Sequence, residues 1–351
     1  MTSITQDAAT IQGQARFFHH LYGGISAAAL RCALELDIAG IINRHQGPIT
    51  LSQIAHGIGS SSLDVDSLSR LMRFLVHQQI FDQQESEEKP LYSLNECSKF
   101  LLKDARNTLS SLAMMITDPL MFSPFYKLSQ SIEEGGIAAF KTYGVSIWDM
   151  FASNPQAHKG FNDAMACSTM LNIDVIVSNY DFTSLKGTLV DVGGGVGVTL
   201  NEIVTKYPHL KGINFDMPDV VSSATAYEGV THVGGDMFTA IPHGDSFFIK
   251  TILHNWGDDK CVQVLKNCRE SMTERAGKVI IADMVLSPTG TGVDVFDEAR
   301  IGMDMIMLTY FDGGKERTEA EWKKILEEAG FRRYNVIKIP TTVSIIEAYI
   351  E

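Results

Sequence analysis

The run LVDVGGGVGV at residues 189 to 198 places four glycines in five positions directly behind an apolar stretch. Glycine loses more backbone freedom on folding than any other residue, so a cluster needs a reason. Either the chain turns sharply there, or a ligand lies where a Cβ would collide. Two carboxylates follow. Asp216 ends INFDMP, and Asp236 stands beside Met237 in GGDMF. The first is placed to accept both hydroxyls of a ribose. The second, next to an apolar side chain, suits adenine: one accepts from the exocyclic amine and the other packs on the ring. Further along, His254 lies in FFIKTILHNWGDDK, Asp283 ends GKVIIAD, Asp304 lies in GMDMIML, and Glu316 lies in the turn GGKERT. A histidine oriented by buried carboxylates is a general base, because acids on one ring nitrogen fix the tautomer and stabilise the imidazolium.

The ligand can be narrowed. The dinucleotide fingerprint G-x-G-x-x-G/A fails from Gly193, where Val198 takes the last position, and from Gly195, where Leu200 does. A P-loop fails because no G-K-[ST] follows. A tight turn alone, or a plain turn aspartate at Asp236, would account for single features. Taken in order, the three strand-end signals predict an adenosine ligand that needs no phosphate grip, which is S-adenosylmethionine (SAM). Paired aspartates at 258 and 259 are read as an N-cap and dipole complement of the next helix rather than as a metal site.

These residues need elements to carry them. TLVDVG, KGINFDMP, VTHVGGDMF, SFFIKTIL and GKVIIADMVL read as strands; VTLNEIVTKYP, DDKCVQVLKNCRESM and RTEAEWKKILEEAGF read as helices; RRYNVIKIPTTVSIIEAYIE closes as a strand pair. That alternation predicts a doubly wound α/β sheet, with ligands at the carboxyl ends of its strands. Residues 11 to about 105 read instead as short helices, among them ISAAALRCALELDIAGII, LSQIAHGIG and VDSLSRLMRFLVHQQIF. IFD and LYSL then flank a polar turn as a hairpin, the pattern of a winged helix. The would-be recognition helix is not basic, so packing or dimerisation is expected of it. Met- and Phe-rich helical segments (LSSLAMMI, MFSPFYKLSQSI, GFNDAMACSTML) fill the interval.

The 351 residues carry a net charge of −13, which disfavours nucleic acid and anionic membranes as partners. Five cysteines without a CxxC pair fit reduced thiols better than disulfides or zinc. The N-terminus has no charged-then-apolar leader and no stretch is long enough to span a bilayer, so a soluble, cytoplasmic protein is expected.

LVDVGGGVG, FDMPDV, GGDMF, ILHNW and GGKERT, in this order and spacing, resemble the plant caffeate/flavonoid/alkaloid class of SAM-dependent O-methyltransferases over essentially the full length. The resemblance implies a metal-independent, Rossmann-like class I methyltransferase core at about 186–351, a helical substrate-pocket segment at about 111–185, and a mostly α, winged-helix-like dimerisation domain at 1–110. It also implies a homodimer formed through that domain. By position, Gly193, Asp216, Asp236, Met237 and Lys250 match cofactor contacts, His254 the catalytic base, and Asp283 and Glu316 the acids that orient it. Asn255 departs from the usual aspartate, and Asp283 stands where glutamate is often found.

The N-terminal segment, FNDAMA and the closing SIIEAYIE are most similar to isoquinoline (benzylisoquinoline and protoberberine) alkaloid enzymes within that family. The expected reaction is methylation of a phenolic hydroxyl, leaving S-adenosylhomocysteine (SAH). Met165, Met170, Trp256, Met303, Asp304 and Met307 are the candidate pocket residues, with Cys167 and Phe161 near them. Thioethers pack adaptably on flat rings, although residues of this kind are also ordinary core. The alternatives are a phenylpropanoid or flavonoid substrate, or a SAM-binding winged-helix transcription regulator. A nicotinamide oxidoreductase is disfavoured by Val198 and by the lack of a catalytic Tyr-x-x-x-Lys.

Overall fold

The computed structural model describes residues 7–86, 89–273, 277–289 and 294–350. The chain forms two compact units, one of residues 1–122 with 156–168 and one of 123–155 with 169–351.

The first unit opens with helices α1 (Ala8–Leu21), α2 (Gly23–Glu35) and α3 (Ile38–Arg44). The apolar run that reads as one helix is split by Asp37, whose φ of +52° ends the α-helical path between α2 and α3. Strand β1 (Ile49–Thr50), α4 (Leu51–Ile58), α5 (Val65–His77), β2 (Phe81–Gln84) and β3 (Leu91–Leu94) follow. Thr50 and Gln53 close a capping box at the start of α4, and Asp64 caps α5 by accepting from the backbone of Asp66 and Ser67. The expected hairpin is present, with β1 added on its β3 side and all pairs antiparallel. Its core gathers Leu34, Ile38, Ile54, Met72, Leu75 and Phe81. After α6 (Ser110–Ile116) and α7 (Pro119–Phe122) comes a 3₁₀ turn at Ser123–Lys127, so MFSPFYKLSQSI is not one helix; Pro124 sits inside the turn.

Helices α8 (Leu128–Glu134), α9 (Ala138–Tyr143) and α10 (Ile147–Ser153) belong to the second unit; α11 (Pro155–Asn179) gives its first part to one unit and its remainder to the other. Then the alternation begins: β4 (Thr188–Val192), α12 (Val198–Lys206), β5 (Lys211–Asp216), α13 (Pro218–Ser222), β6 (Val230–Gly234), β7 (Ser246–Lys250), α14 (Asp258–Glu270), β8 (Lys278–Asp283), β9 (Val285–Leu286), α15 (Asp297–Tyr310), β10 (Arg317–Thr318), α16 (Glu319–Glu328), β11 (Arg333–Lys338) and β12 (Ser344–Tyr349). The sheet runs β11-β12-β8-β7-β4-β5-β6. All its pairs are parallel except those made by β12.

Both faces of the sheet are covered, which is why the strands read as nearly continuous apolar runs. Val190, Phe247, Ile249, Val279 and Ile281 pack on one side with Leu265 and Trp322. Leu189, Phe248, Ile280 and Ala282 pack on the other with Ile173, Leu200 and Ile203. The strand order reverses between β4 and β7, and at such a switch point the loops leaving the carboxyl ends part to form a crevice. Gly193, Asp216, Asp236, Lys250, His254 and Asp283 all stand at or just beyond carboxyl ends of these strands.

Candidate active site

The glycine loop is shaped by its neighbours. Gly193 has φ +74°, and a Cβ there would stand 2.7 Å from Ile252. Gly195 has φ +59°, yet a Cβ there would meet nothing within 4 Å. The first glycine is a packing requirement, and the second faces open space. Asp216 holds the loop directly, its Oδ2 accepting from the backbone N–H of Gly195 at 2.7 Å. Asn214 donates to the Gly195 carbonyl at 2.8 Å. Asp236 is exposed and accepts from the Phe238 N–H and the Thr239 hydroxyl at 2.9 and 3.0 Å, so it organises its own turn; Met237 beside it is half-buried.

Deeper in β4 lies Asp191, buried and pushed up to about 7 by that burial, with Lys250 opposing the shift and Asp216 adding to it. Lys250 ends β7 and is held below its ordinary value by burial, against the pull of the Asp191 and Asp283 charges. Its Nζ donates to Thr169 Oγ1 at 3.3 Å. Lys250 thus feels the charges of both Asp191 and Asp283.

Beyond Lys250 the chain turns through Thr251, a non-glycine residue at φ +50°. Such a conformation costs about 1–2 kcal/mol. It delivers His254 into a short 3₁₀ turn, Leu253–Asn255, in which Leu253 and His254 are both buried. His254 Nδ1 bonds Glu316 Oε1 at 2.7 Å; Asp283 Oδ1 stands at 3.7 Å from the same nitrogen, a charge rather than a hydrogen bond. Burial pulls the imidazole down, but the Asp283 charge and the Glu316 hydrogen bond and charge outweigh it, and the ring ends above its usual value. Burial raises Glu316 in turn, against the charge of His254.

The remaining candidates are placed differently from one another. Asp304 Oδ1 accepts from the backbone N–H of Glu316 at 2.9 Å and so supports the acid that grips the ring. Trp256 packs edge-on to Phe238, centroids 4.8 Å apart, against the core that contains Trp322. Met307 is buried, Met303 is half-buried against the opposite core, and Met170 is half-buried on α11. Met165 is exposed and belongs to the first unit, as do half-buried Phe161 and Cys167. Asp258 and Asp259 stand in the first turn of α14, where they complement its dipole, but neither is its cap: Gly257 is the N-cap, without a side-chain bond, and Asp258 Oδ1 meets Arg317 at 2.9 Å. All five cysteines are free.

Asp191, Asn214 and Arg317 join the site without being among its sequence-based candidates. Asp191 carries a signal, since an acid inside LVDV interrupts an otherwise apolar strand. Arg317 carries none, because its partners lie some sixty positions upstream.

Among the described residues, the buried side-chain oxygens without a hydrogen-bond partner are Asp191 Oδ2, Asn214 Oδ1, Asp283 Oδ2 and Glu316 Oε2. Asp191 and Asn214 lie in the strands beneath the glycine loop, against Gly194, and Asp283 and Glu316 face His254. Unpaired buried polar atoms are costly, and their concentration marks a site completed by a ligand. His254, Asp283 and Glu316 also bring donor atoms within 4.8 Å of one another. The 2.7 Å between His254 and Glu316 is nevertheless the length of a direct hydrogen bond.

This sheet, with the glycine loop at its switch point, defines a class I SAM-dependent methyltransferase. An O-methyltransferase domain model matches residues 125–332, and an O-methyltransferase dimerisation domain model matches 18–104. The chain is 43% identical to (R,S)-reticuline 7-O-methyltransferase of Papaver somniferum over 97% of its own length and 98% of that protein's. It is 41% identical to desmethylxanthohumol 6'-O-methyltransferase of Humulus lupulus, over 97% and 99%. The crystal structure of CalO1, a methyltransferase of calicheamicin biosynthesis in its SAH-bound form, superposes with a TM-score of 0.85 at 26% identity, covering 99% of this chain and 100% of that one. Human N-acetylserotonin methyltransferase in complex with SAM shares the fold, with a TM-score of 0.82 at 21% identity and 99% of each chain covered. The chain belongs to the O-methyltransferase family. It is a SAM-dependent enzyme of a class that needs no metal.

Proposed function

We propose that this O-methyltransferase methylates a phenolic hydroxyl of an isoquinoline alkaloid, with His254 as the general base. The observation that carries the chemistry is the buried imidazole whose Nδ1 is engaged by Glu316 at 2.7 Å. With that nitrogen donating, Nε2 holds the lone pair that takes the hydroxyl proton. A phenol near ~10 and an imidazole near ~6.5 are poorly matched, and raising the imidazole narrows the gap. Glu316 and Asp283 then stabilise the positive charge that the ring acquires. Gly193, Asp216, Asp236, Met237 and Lys250 would hold the cofactor. When bound, SAM supplies a sulfonium methyl group to the substrate oxygen and leaves as SAH.

The alkaloid reading is supported by the 43% identity to the reticuline enzyme, by 35% identity to (RS)-norcoclaurine 6-O-methyltransferase of Coptis japonica, and by the thioethers of Met170, Met303 and Met307. A flavonoid-type phenol is the second reading, favoured by the 41% identity to the desmethylxanthohumol enzyme. Benzylisoquinolines, protoberberines, chalcones and flavonoids offered with labelled SAM, the products located by NMR, separate the two. A kcat/KM at least about tenfold higher for an alkaloid phenol is expected, a margin that apolar pocket contacts can supply; preference for a chalcone or flavonoid overturns the assignment. The organisation that goes with this reading is a cytoplasmic homodimer, with 1–110 as dimerisation domain and 111–351 as catalytic domain.

A further inference from the structure

Glu316 and Arg317 are consecutive, and they grip the same short turn from two sides. Glu316 takes the ring of His254. Arg317 takes the backbone: Nη1 donates to the Leu253 carbonyl at 3.2 Å and Nη2 to the Trp256 carbonyl at 2.8 Å. The carbonyl of His254 itself accepts from the Lys315 N–H at 2.9 Å. Residues 315 to 317 thus address the turn before, at and after the histidine.

Arg317 is fully buried. Its charge is met by Asp258 Oδ1, 3.1 Å from Nε and 2.9 Å from Nη2. The guanidinium also lies 5.5 Å from the centroid of Trp322, whose indole N–H donates to the Met284 carbonyl at 3.1 Å. Met284 follows Asp283, and Arg317 pairs with Val285 across β9 and β10. The cation therefore stands where the segments carrying Asp283 and Glu316 and the turn carrying the base converge.

A buried cation held by a partly exposed acid is poor value as plain stability, since well-packed apolar residues often replace such a pair without loss. An apolar residue cannot donate to two carbonyls at the ends of a turn. We propose that Arg317, anchored by Asp258, is a positioning residue for the methyl transfer: it holds the 253–256 turn in the register that brings His254 onto Glu316. The proposal rests on His254 being the general base. It assigns Asp258 a task other than capping or metal binding.

Arg317→Lys in the full-length enzyme is the test. Lysine keeps a positive charge near Asp258 but cannot fork to two carbonyls. The expected variant folds and binds SAH within about twofold of wild type by calorimetry, because Arg317 makes no bond to the glycine loop. Its kcat falls about 10–100-fold with substrate KM little changed, as a slightly misplaced catalytic group does. Histidine-selective ¹³C NMR then shows the His254 pKa moving down, because the contact with its acids loosens. Asp258→Asn is the second variant, expected to give the same signature more weakly, and it carries the test if Arg317→Lys does not fold. A lowered His254 pKa with unchanged turnover sustains the positioning role and overturns the general-base reading instead. A folded Arg317→Lys with wild-type kcat and wild-type His254 pKa overturns the proposal, as does lost thermal stability with that pKa unmoved.

Discussion

His254 works against its own burial. Desolvation alone would leave the ring a weaker base, and two acids reverse that outcome. The sign of the pH dependence follows. Only the neutral ring accepts a proton, so kcat should rise with pH through an apparent pKa above the ordinary ~6.5 of imidazole. Glu316→Gln removes a charge that raises the ring, so its limb should lie at lower pH while its plateau is also lower. His254→Ala should keep SAH affinity and lose about 10²–10⁴-fold in turnover, the usual worth of a positioned base. Steady-state profiles of the three proteins, with calorimetry, check this; a wild-type limb lying below ~6.5 would contradict the electrostatics. At this scale much of the site was legible, since His254, Asp283 and Glu316 could be picked out beside strand ends and glycine turns. The part played by Asp304 was not, because its use of a side chain to hold a backbone twelve residues away depends on how α15 packs. Nor was Arg317 visible as more than one basic residue in a polar turn.

Among the elements, the glycine loop separates packing from ligand space. Both Gly193 and Gly195 have positive φ, so alanine at either costs on the order of 1–2 kcal/mol in backbone strain. Gly193→Ala additionally drives a methyl against Ile252, and should lower the melting temperature further. Gly195→Ala meets no protein atom; beyond that backbone strain, its cost should appear as lost SAH affinity rather than as further lost fold stability. Thermal unfolding and calorimetry on the two variants test this, and equal SAH affinity in Gly195→Ala and wild type would refute it. The strand–helix alternation could be read along the chain because the central strands β4, β7 and β8 are buried along nearly their whole length. Harder to read were features decided by distant contacts. That β12 inserts antiparallel between β8 and β11 depends on which strand of the closing pair reaches β8. The two-residue pairing of β9 with β10 is too short to leave a period, and the break at Asp37 lies in a run that local spacing reads as helical.

At the scale of the whole molecule, the first unit leaves apolar surface uncovered. None of the residues of α1 is buried, and Ile11, Phe17, Phe18, Leu21, Tyr22 and Ile25 are all exposed. Ile11, Phe18, Tyr22 and Ile25 recur at helical spacing, so they form a stripe rather than scattered positions. A helix of 14 residues with none of them buried is marginal in water, and an apolar patch of this kind marks an interaction surface. The chain's match to an O-methyltransferase dimerisation domain over residues 18–104 points to a second copy of itself as what covers it. In a two-fold interface each substitution acts twice. Phe18→Glu with Leu21→Glu therefore removes four apolar side chains from the dimer, each worth about 1.5–3 kcal/mol when fully buried. Even the lower figure is on the order of 6 kcal/mol, which weakens association by roughly four orders of magnitude. Sedimentation at micromolar concentration should show wild type as a dimer and the double variant as monomer, with activity falling alongside. A wild-type chain that sediments as a fully active monomer would remove α1 as an interface, and a double variant that stays dimeric would place the interface elsewhere on the first unit.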